Sequence, residues 1–223
     1  MITEKILENI QYYIGASYRR KLLDKILNEN RYYFSGVVLD IGGGRKRGKF
    51  IPPETKKWIF ADITPELKPD IICNVEKMQF EDESFDTIKA TELFEHVEDP
   101  EQGINECCRV LKEDGYFIIS MPFLYPIHGD PFDYQRWTGK KWNDVLLKNK
   151  FKIEKIEMIG YFFTVLAEMI KTLIKLSPAL LRYLGYLSYP ALDLLVKLDD
   201  LKIINKNNKL NKYTTGFFII ARK

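Results

Sequence analysis

The sequence predicts an α/β fold, a mostly parallel sheet with helices on both faces, on three observations. Val37-Val38-Leu39-Asp40-Ile41 reads as a short buried strand and runs directly into Gly42-Gly43-Gly44. A second apolar run, Trp58-Ile59-Phe60-Ala61, ends in Asp62, eighteen residues past Gly44. Further apolar runs then alternate with helix-period segments up to residue 159. Glycine has no Cβ and tolerates positive φ, so the first turn lets backbone approach a ligand closely. A strand, a glycine turn and an acid at the tip of the next strand is how an α/β sheet holds a nucleoside. The second carboxylate accepts hydrogen bonds from both ribose hydroxyls.

Residues from about 3 to 30 read as helical, because Ile6, Ile10, Tyr13 and Ile14 share one face and Leu22, Leu23, Ile26 and Leu27 another. Only thirteen residues separate Gly44 from Trp58, and they include Gly48 and Pro52-Pro53. A parallel crossover needs about a dozen residues, usually helical, so the first crossover helix is expected to be abbreviated. Asp70 to Val75 reads as a short strand with a polar tip, and Thr87 to Thr91 as the next strand. Asp99-Pro100 starts a helix, with an N-cap acid and proline at the first position. Its inner face is Ile104, Cys107, Cys108 and Leu111, and Gly115 is expected to end it. A helix from Thr138 to Lys148 turns Trp142, Val145 and Leu146 inward, and residues 151 to 159 read as a strand.

From Phe162 to Leu198 the composition shifts. Leu166, Ile170, Leu173 and Ile174 line one helical face, and Glu168, Lys171 and Lys175 another. Ser177-Pro178 begins a second helix that Gly185 ends, and Ser188 with Pro190 begins a third. Charges interrupt every apolar run before the roughly 18 residues that a membrane span needs. Three roles stay open for this insertion: a lid over the substrate site, a face for a second copy or a membrane surface, or plain core. Asn205 to Lys212 reads as a loop.

The chain has 223 residues, 46% of them hydrophobic, which suits one domain with a full core. Its net charge of +3 and pI of about 8.5 are too mild to argue for nucleic acid. The three cysteines, Cys73, Cys107 and Cys108, read as reduced thiols in a cytoplasmic chain. The first residues carry no signal-peptide apolar region.

Several further motifs follow in a fixed order. Phe85-Asp86 opens a strand, Glu92-Leu93-Phe94-Glu95-His96-Val97 follows it, and Arg109-Val110-Leu111-Lys112-Glu113-Asp114-Gly115 precedes the next strand. Together with the Asp-x-Gly-x-Gly pattern of Asp40 to Gly44, this order resembles the type-11 methyltransferase domain. The resemblance covers about residues 36 to 160 and returns at Thr215 to Arg222. It implies a Rossmann-like sheet with an antiparallel last strand, and S-adenosylmethionine (SAM) as cofactor. It divides the single domain into an N-terminal helical cap (1–34), a SAM-binding core (36–160), the helical insertion (161–212) between the last two strands, and the last strand (213–223).

By that resemblance, Asp40 orders the turn, and Gly42, Gly43 and Gly44 let backbone approach the methionine part. Asp62 holds the ribose, with Ile63 beside it. Asn74 stands where many relatives carry Asp and would read the adenine amino group, since an amide carbonyl still accepts that bond. Val75 offers backbone to adenine, and Thr91 and Glu92 line the sulfonium. The acceptor side is expected in His128-Gly129-Asp130-Pro131-Phe132-Asp133-Tyr134-Gln135-Arg136. His128 is a candidate general base because its ordinary pKa lies near neutrality. Asp130 or Asp133 would orient it, and Arg136 would bind an anionic group. Bracing of a proline-rich loop by the same acids and arginine stays open beside this. With two histidines and no suitable cysteine pair, no metal site is expected, and one built from His128, Asp130 and Asp133 is disfavoured.

The leading expectation is methyl transfer to an oxygen or nitrogen of a small molecule, glycan or lipid head group. A noncatalytic SAM- or nucleoside-binding domain for regulation or assembly is the first alternative. An NAD(P)-dependent oxidoreductase is the second. It is disfavoured by Arg47 at the third position of G-x-G-x-x-G and by the lack of a Tyr-x-x-x-Lys dyad, although Arg45, Lys46 and Arg47 would attract a 2′-phosphate that Asp62 repels.

Overall fold

The computed structural model describes residues 2–44, 48–207 and 209–223. Arg45, Lys46 and Arg47, weighed above for a phosphate, lie outside the described residues. Seven strands form one sheet: β1 (Val37–Ile41), β2 (Lys57–Asp62), β3 (Ile71–Ile72), β4 (Phe85–Thr91), β5 (Leu111–Pro122), β6 (Lys152–Met158) and β7 (Gly216–Arg222). Their order is β3-β2-β1-β4-β5-β7-β6, and β7 runs antiparallel to both of its neighbours. The strand order reverses direction between β1 and β4, where open α/β sheets leave a crevice at the carboxyl ends of the strands. The α/β class, the mostly parallel sheet and the antiparallel last strand are as the sequence predicts.

Alternate strand residues feed the two faces, as the twofold period of a strand requires. Leu39, Ile41, Ile88, Phe117 and Ile119 pack with α3 (Pro100–Val110) and α4 (Gly139–Lys148), through Ile104, Cys107, Trp142 and Leu146. Val38, Ile118, Phe218 and Ile220 pack on the other face with Leu23, Ile26 and Leu27 of α2 (Tyr18–Glu29). Asp99 caps α3, its side chain accepting from Gln102 N–H at 3.0 Å, and Thr138 caps α4. Among the described residues no helix lies between β1 and β2, in keeping with the abbreviated crossover.

One local expectation is corrected. Helix α3 ends at Val110 rather than Gly115, because Leu111 is already buried in the sheet opposite Phe85. The chain then turns through Asp114, at φ 64°, before Tyr116 rejoins the ladder. Helix α5 (Phe162–Leu176) is the first of the insertion. Its buried side chains are Thr164, Ala167, Glu168 and Lys171; of the apolar stripe, Leu173 is about two-thirds exposed (67%), while Ile170 and Ile174 pack partly buried against Tyr18, Tyr189 and Leu192.

The reason Glu168 and Lys171 are buried lies at the junction of α1 (Ile2–Gly15) and α2. Glu168 Oε2 accepts from the first N–H groups of α2, Tyr18 at 2.6 Å and Arg19 at 3.3 Å. Lys171 Nζ donates to carbonyls at the end of α1, Tyr13 at 3.1 Å and Ala16 at 2.6 Å. An acid at a helix start and a base at a helix end each meet the favourable pole of the helix dipole. Asp199 in turn accepts from Tyr161, Phe163 and Thr164 N–H at the start of α5. The insertion continues through α6 (Ala179–Tyr186), α7 (Tyr189–Lys197) and α8 (Lys202–Asn205). Leu180, Leu184 and Leu194 on these helices are exposed. No described helix is long and apolar enough to cross a membrane.

Candidate cofactor and acceptor site

The turn after β1 is shaped by what lies beneath it. Lys89 Nζ, on β4, donates to Asp40 Oδ1 at 2.7 Å, and Trp58 Nε1 donates to Oδ2 at 3.3 Å. A Cβ on Gly43 would stand 2.4 Å from Asp40 Oδ1 and 2.7 Å from Lys89 Nζ, so only glycine fits over this pair. Gly42 takes φ 72°, and its N–H donates to Ala61 O on β2 at 2.9 Å. The Asp40–Lys89 pair was not legible in the sequence, where Lys89 was one charge inside a strand.

Two cavities open at these strand tips. One, of about 670 Å³, is lined by Asp40, Gly43, Gly44, Lys89 and Thr91, together with Tyr12 of α1 and Arg20 of α2. The other, of about 520 Å³, is lined by Gly42, Asp62, Ile63, Asn74, Val75 and Glu92. His96, Gly129, Phe132 and Tyr134 line it as well. All ten residues expected around a cofactor therefore reach one or other cavity, and the 120s–130s loop faces six of them. No residue lining either cavity belongs to the insertion, whose described polar contacts with the N-terminal cap run to the α1–α2 junction.

The individual groups are held to different degrees. Asp62 is buried, and its Oδ1 accepts from Thr64 N–H at 2.9 Å. Asn74 is exposed, and its Oδ1 accepts from Glu76 N–H at 2.9 Å. Glu92 takes a left-handed φ of 57° and is buried against Arg19 of α2, with which it forms an ion pair. Ser120 Oγ donates to Glu92 Oε1 at 2.7 Å. Burial holds the Arg19 guanidinium down, to about 10, against the pull of Glu95. Arg19 was missed by sequence reading, because nothing local distinguishes it from its neighbour Arg20.

On the acceptor side the structure brings three of the four expected residues together. Arg136 forms a forked ion pair with Asp133, one arm at 2.7 Å, and this holds the Asp133 carboxyl down to about 2. Asp133 Oδ2 also accepts from His128 N–H at 2.8 Å. His128 Nδ1 sits 3.1 Å from Pro126 O, and burial lowers its pKa below the ordinary histidine value. Asp130 is exposed, and no hydrogen bond or ion pair joins it to the other three among the described residues. His96, which the resemblance gives a capping or packing role beneath the cofactor loop, and Glu95 face His128: the two imidazole rings meet edge-to-face at 4.9 Å, and Glu95 Oε1 lies 3.9 Å from His128 Nε2.

A family model described as a methyltransferase domain, type 11, matches residues 59–119. Uncharacterized protein MJ1123 of Methanocaldococcus jannaschii is 30% identical over 140 residues, spanning 59% of this chain and 67% of that protein. A SAM-dependent methyltransferase from Archaeoglobus fulgidus has a TM-score of 0.57 at 18% identity, covering 97% of this chain and 99% of that one. The Burkholderia thailandensis 1,6-didemethyltoxoflavin-N1-methyltransferase was solved with 1,6-didemethyltoxoflavin and S-adenosylhomocysteine bound. It has a TM-score of 0.54 at 13% identity, covering 100% of this chain and 85% of its own. At such identities the two solved structures speak for the fold. The archaeal relative, with the matched segment, makes this chain a member of the type-11 methyltransferase family.

Proposed function

We propose that this chain transfers the methyl group of SAM to an oxygen or nitrogen nucleophile of a small molecule, glycan or lipid head group. The observation that carries the reading is one cavity, of about 520 Å³, shared by two sets of residues. Gly42, Asp62, Asn74 and Val75 make up its strand-tip wall, and His96, Gly129, Phe132 and Tyr134 a second one. A nucleoside seated on the first wall would present its reactive end to a molecule held by the second.

The strand-tip residues fit the cofactor's parts. The side-chain-free backbone at Gly42, Gly43 and Gly44, underpinned by Asp40 and Lys89, admits the methionine portion. Asp62 would accept from the ribose hydroxyls, with Ile63 against the sugar. Asn74 and Val75 would meet adenine, and Thr91 and Glu92 would stand nearest the sulfonium. The bound cofactor supplies an electrophilic methyl group, displaced in line. What the chain supplies is alignment, which in general contributes several kcal/mol, up to ~10.

A nucleophile that bears a proton also needs somewhere to lose it. His96, Glu92 and Glu98 are among the ionisable groups that line the shared cavity, and His128 meets His96 edge-to-face, with Asp133 and Arg136 bracing the loop that carries His128. Arg136 keeps a role toward an anionic acceptor only where that acceptor competes with Asp133. Isothermal titration with SAM and S-adenosylhomocysteine tests the proposal. Binding is expected, and weakening it by Asp62→Ala is expected as well. No heat of binding at millimolar ligand would end the reading.

A further inference from the structure

We propose that Glu95, His96 and His128 form a binding site for one divalent transition-metal ion, of the zinc, manganese or iron(II) class, at the rim of the cofactor cavity. Sequence reading weighed a metal only with His128, Asp130 and Asp133, and disfavoured it. The fold substitutes a different pair of partners for His128.

The argument begins with proton positions. His96 Nδ1 lies 2.6 Å from Phe132 O, and His128 Nδ1 lies 3.1 Å from Pro126 O. A carbonyl only accepts, so in the neutral His96 ring Nδ1 carries the hydrogen and Nε2 a bare lone pair; His128 Nδ1 also lies 3.5 Å from Arg136 Nη2, but Pro126 O at 3.1 Å is the nearer partner and assigns it the same tautomer. Those two Nε2 atoms lie 3.8 Å and 3.9 Å from the same oxygen, Oε1 of Glu95. One ligand atom from each of the three residues falls within 4.8 Å of the others. Three electron-pair donors thus converge with no hydrogen between them. A metal cation, or a proton, at its centre relieves the mutual repulsion of such a set.

Glu95 supplies an independent observation. Its side chain is 0% exposed, and neither oxygen meets a partner within hydrogen-bonding geometry. Buried carboxylates are ordinarily paired or bind metals. Arg19 and Arg136 lie near enough to act on its charge, but Arg19 is paired with Glu92 and Arg136 with Asp133. Glu95 is the acid of this cluster left without a counterpart of its own.

The surrounding chain is built to hold the two rings. A histidine ligand usually donates its second ring N–H to a carbonyl or carboxylate, fixing tautomer and orientation. Both rings here already do so. Gly129, at φ 71°, lets the loop close on His96; a Cβ there would stand 2.9 Å from His96 Cε1. Two imidazoles and one carboxylate suit first-row divalent ions and leave coordination positions open. Ligand atoms about 2 Å from a central ion lie nearer together than these, so binding requires a small inward movement of the His128 loop. His96 lines the cofactor cavity, so the open positions would lie beside the place assigned to the acceptor.

The test uses the full chain, stripped with a chelator and titrated with Zn²⁺ and, separately, with Co²⁺. One equivalent is expected to bind at micromolar or lower concentration, and the Co²⁺ complex should show visible ligand-field bands with nitrogen donors. His96→Ala and His128→Ala should each weaken binding by at least about tenfold. Asp62→Ala should leave metal affinity unchanged while lowering that for S-adenosylhomocysteine, so the metal site and the cofactor reading fail separately. No stoichiometric binding at 100-micromolar metal, on the order of ordinary weak surface affinity, would overturn the proposal. Binding undiminished in both histidine variants would do the same. Should a variant not fold, the Co²⁺ spectrum of the unaltered chain decides alone: absence of imidazole ligation rejects the site.

Discussion

Arg19, in the first turn of α2, and Glu92, one residue past β4, form an ion pair sealed from solvent, their side chains 5% and 4% exposed. The pair ties the N-terminal helices to the strand tips that line the cofactor cavity. Removing one partner of a buried pair leaves the other charge uncompensated, which typically costs 3–5 kcal/mol. Arg19→Met is therefore expected to lower the free energy of unfolding in urea by about 3 kcal/mol. Adding Glu92→Gln to that variant should recover part of the loss, since the uncompensated charge is then gone.

The same helix is held from behind by the insertion. Glu168 caps α2 through Tyr18 and Arg19 N–H. Loss of a capping side chain typically costs about 1–2 kcal/mol. Glu168→Ala is expected to lower the thermal midpoint accordingly. Lys171, whose pKa burial pushes down to about 7, would then keep its place without the neighbouring acid. An unchanged midpoint would show that the cap adds nothing to the fold.

At the turn, Gly43→Ala introduces a Cβ into the space held by Asp40 Oδ1 and Lys89 Nζ. The backbone or the ion pair must then shift, at the point where the methionine portion is expected to lie. S-adenosylhomocysteine affinity measured by calorimetry should fall by about tenfold or more, equivalent to at least ~1.4 kcal/mol. Gly15, with nothing within 4 Å of its would-be Cβ, serves as the control: Gly15→Ala should leave affinity unchanged.

Asp133 makes a prediction in acid. Its pKa is lowered from 3.8 to about 2 in the fold, first by the hydrogen-bonded Arg136 guanidinium. The unfolded chain therefore binds more protons than the folded chain between these values, and stability falls as pH drops from about 4 to 2. The contribution, fully present above pH 4, is on the order of 2 kcal/mol. Asp133→Asn should be less stable than the parent at pH 7 by about that amount. Its stability should also decline less steeply through the acid window, as chemical denaturation at several pH values would show.

Local patterns carried most of the architecture. The run into Gly42, the acid ending β2 and the Asp99-Pro100 helix start all depend on neighbours in sequence, and each is found where the residues place it. A strand's buried face and a helix's cap are written in consecutive residues, and so are readable. The insertion was readable as three helices but not in its orientation. Hydrophobic periodicity marks the apolar stripe of α5, yet the termini of α1 and α2 present unpaired backbone groups that Glu168, Lys171 and Lys175 meet.

The sequence alone determined the α/β sheet, the glycine turn, Asp62 and the order of motifs that mark the family. Tertiary structure alone decided which side chains share a space. It set Lys89 under Gly43, Arg19 against Glu92, and Glu95 with His96 beside His128. These partners come from separate elements, so no spacing along the chain encodes them. Their energies depend on burial, which exists only once the sheet edge, the helices and the 120s–130s loop have closed on one another.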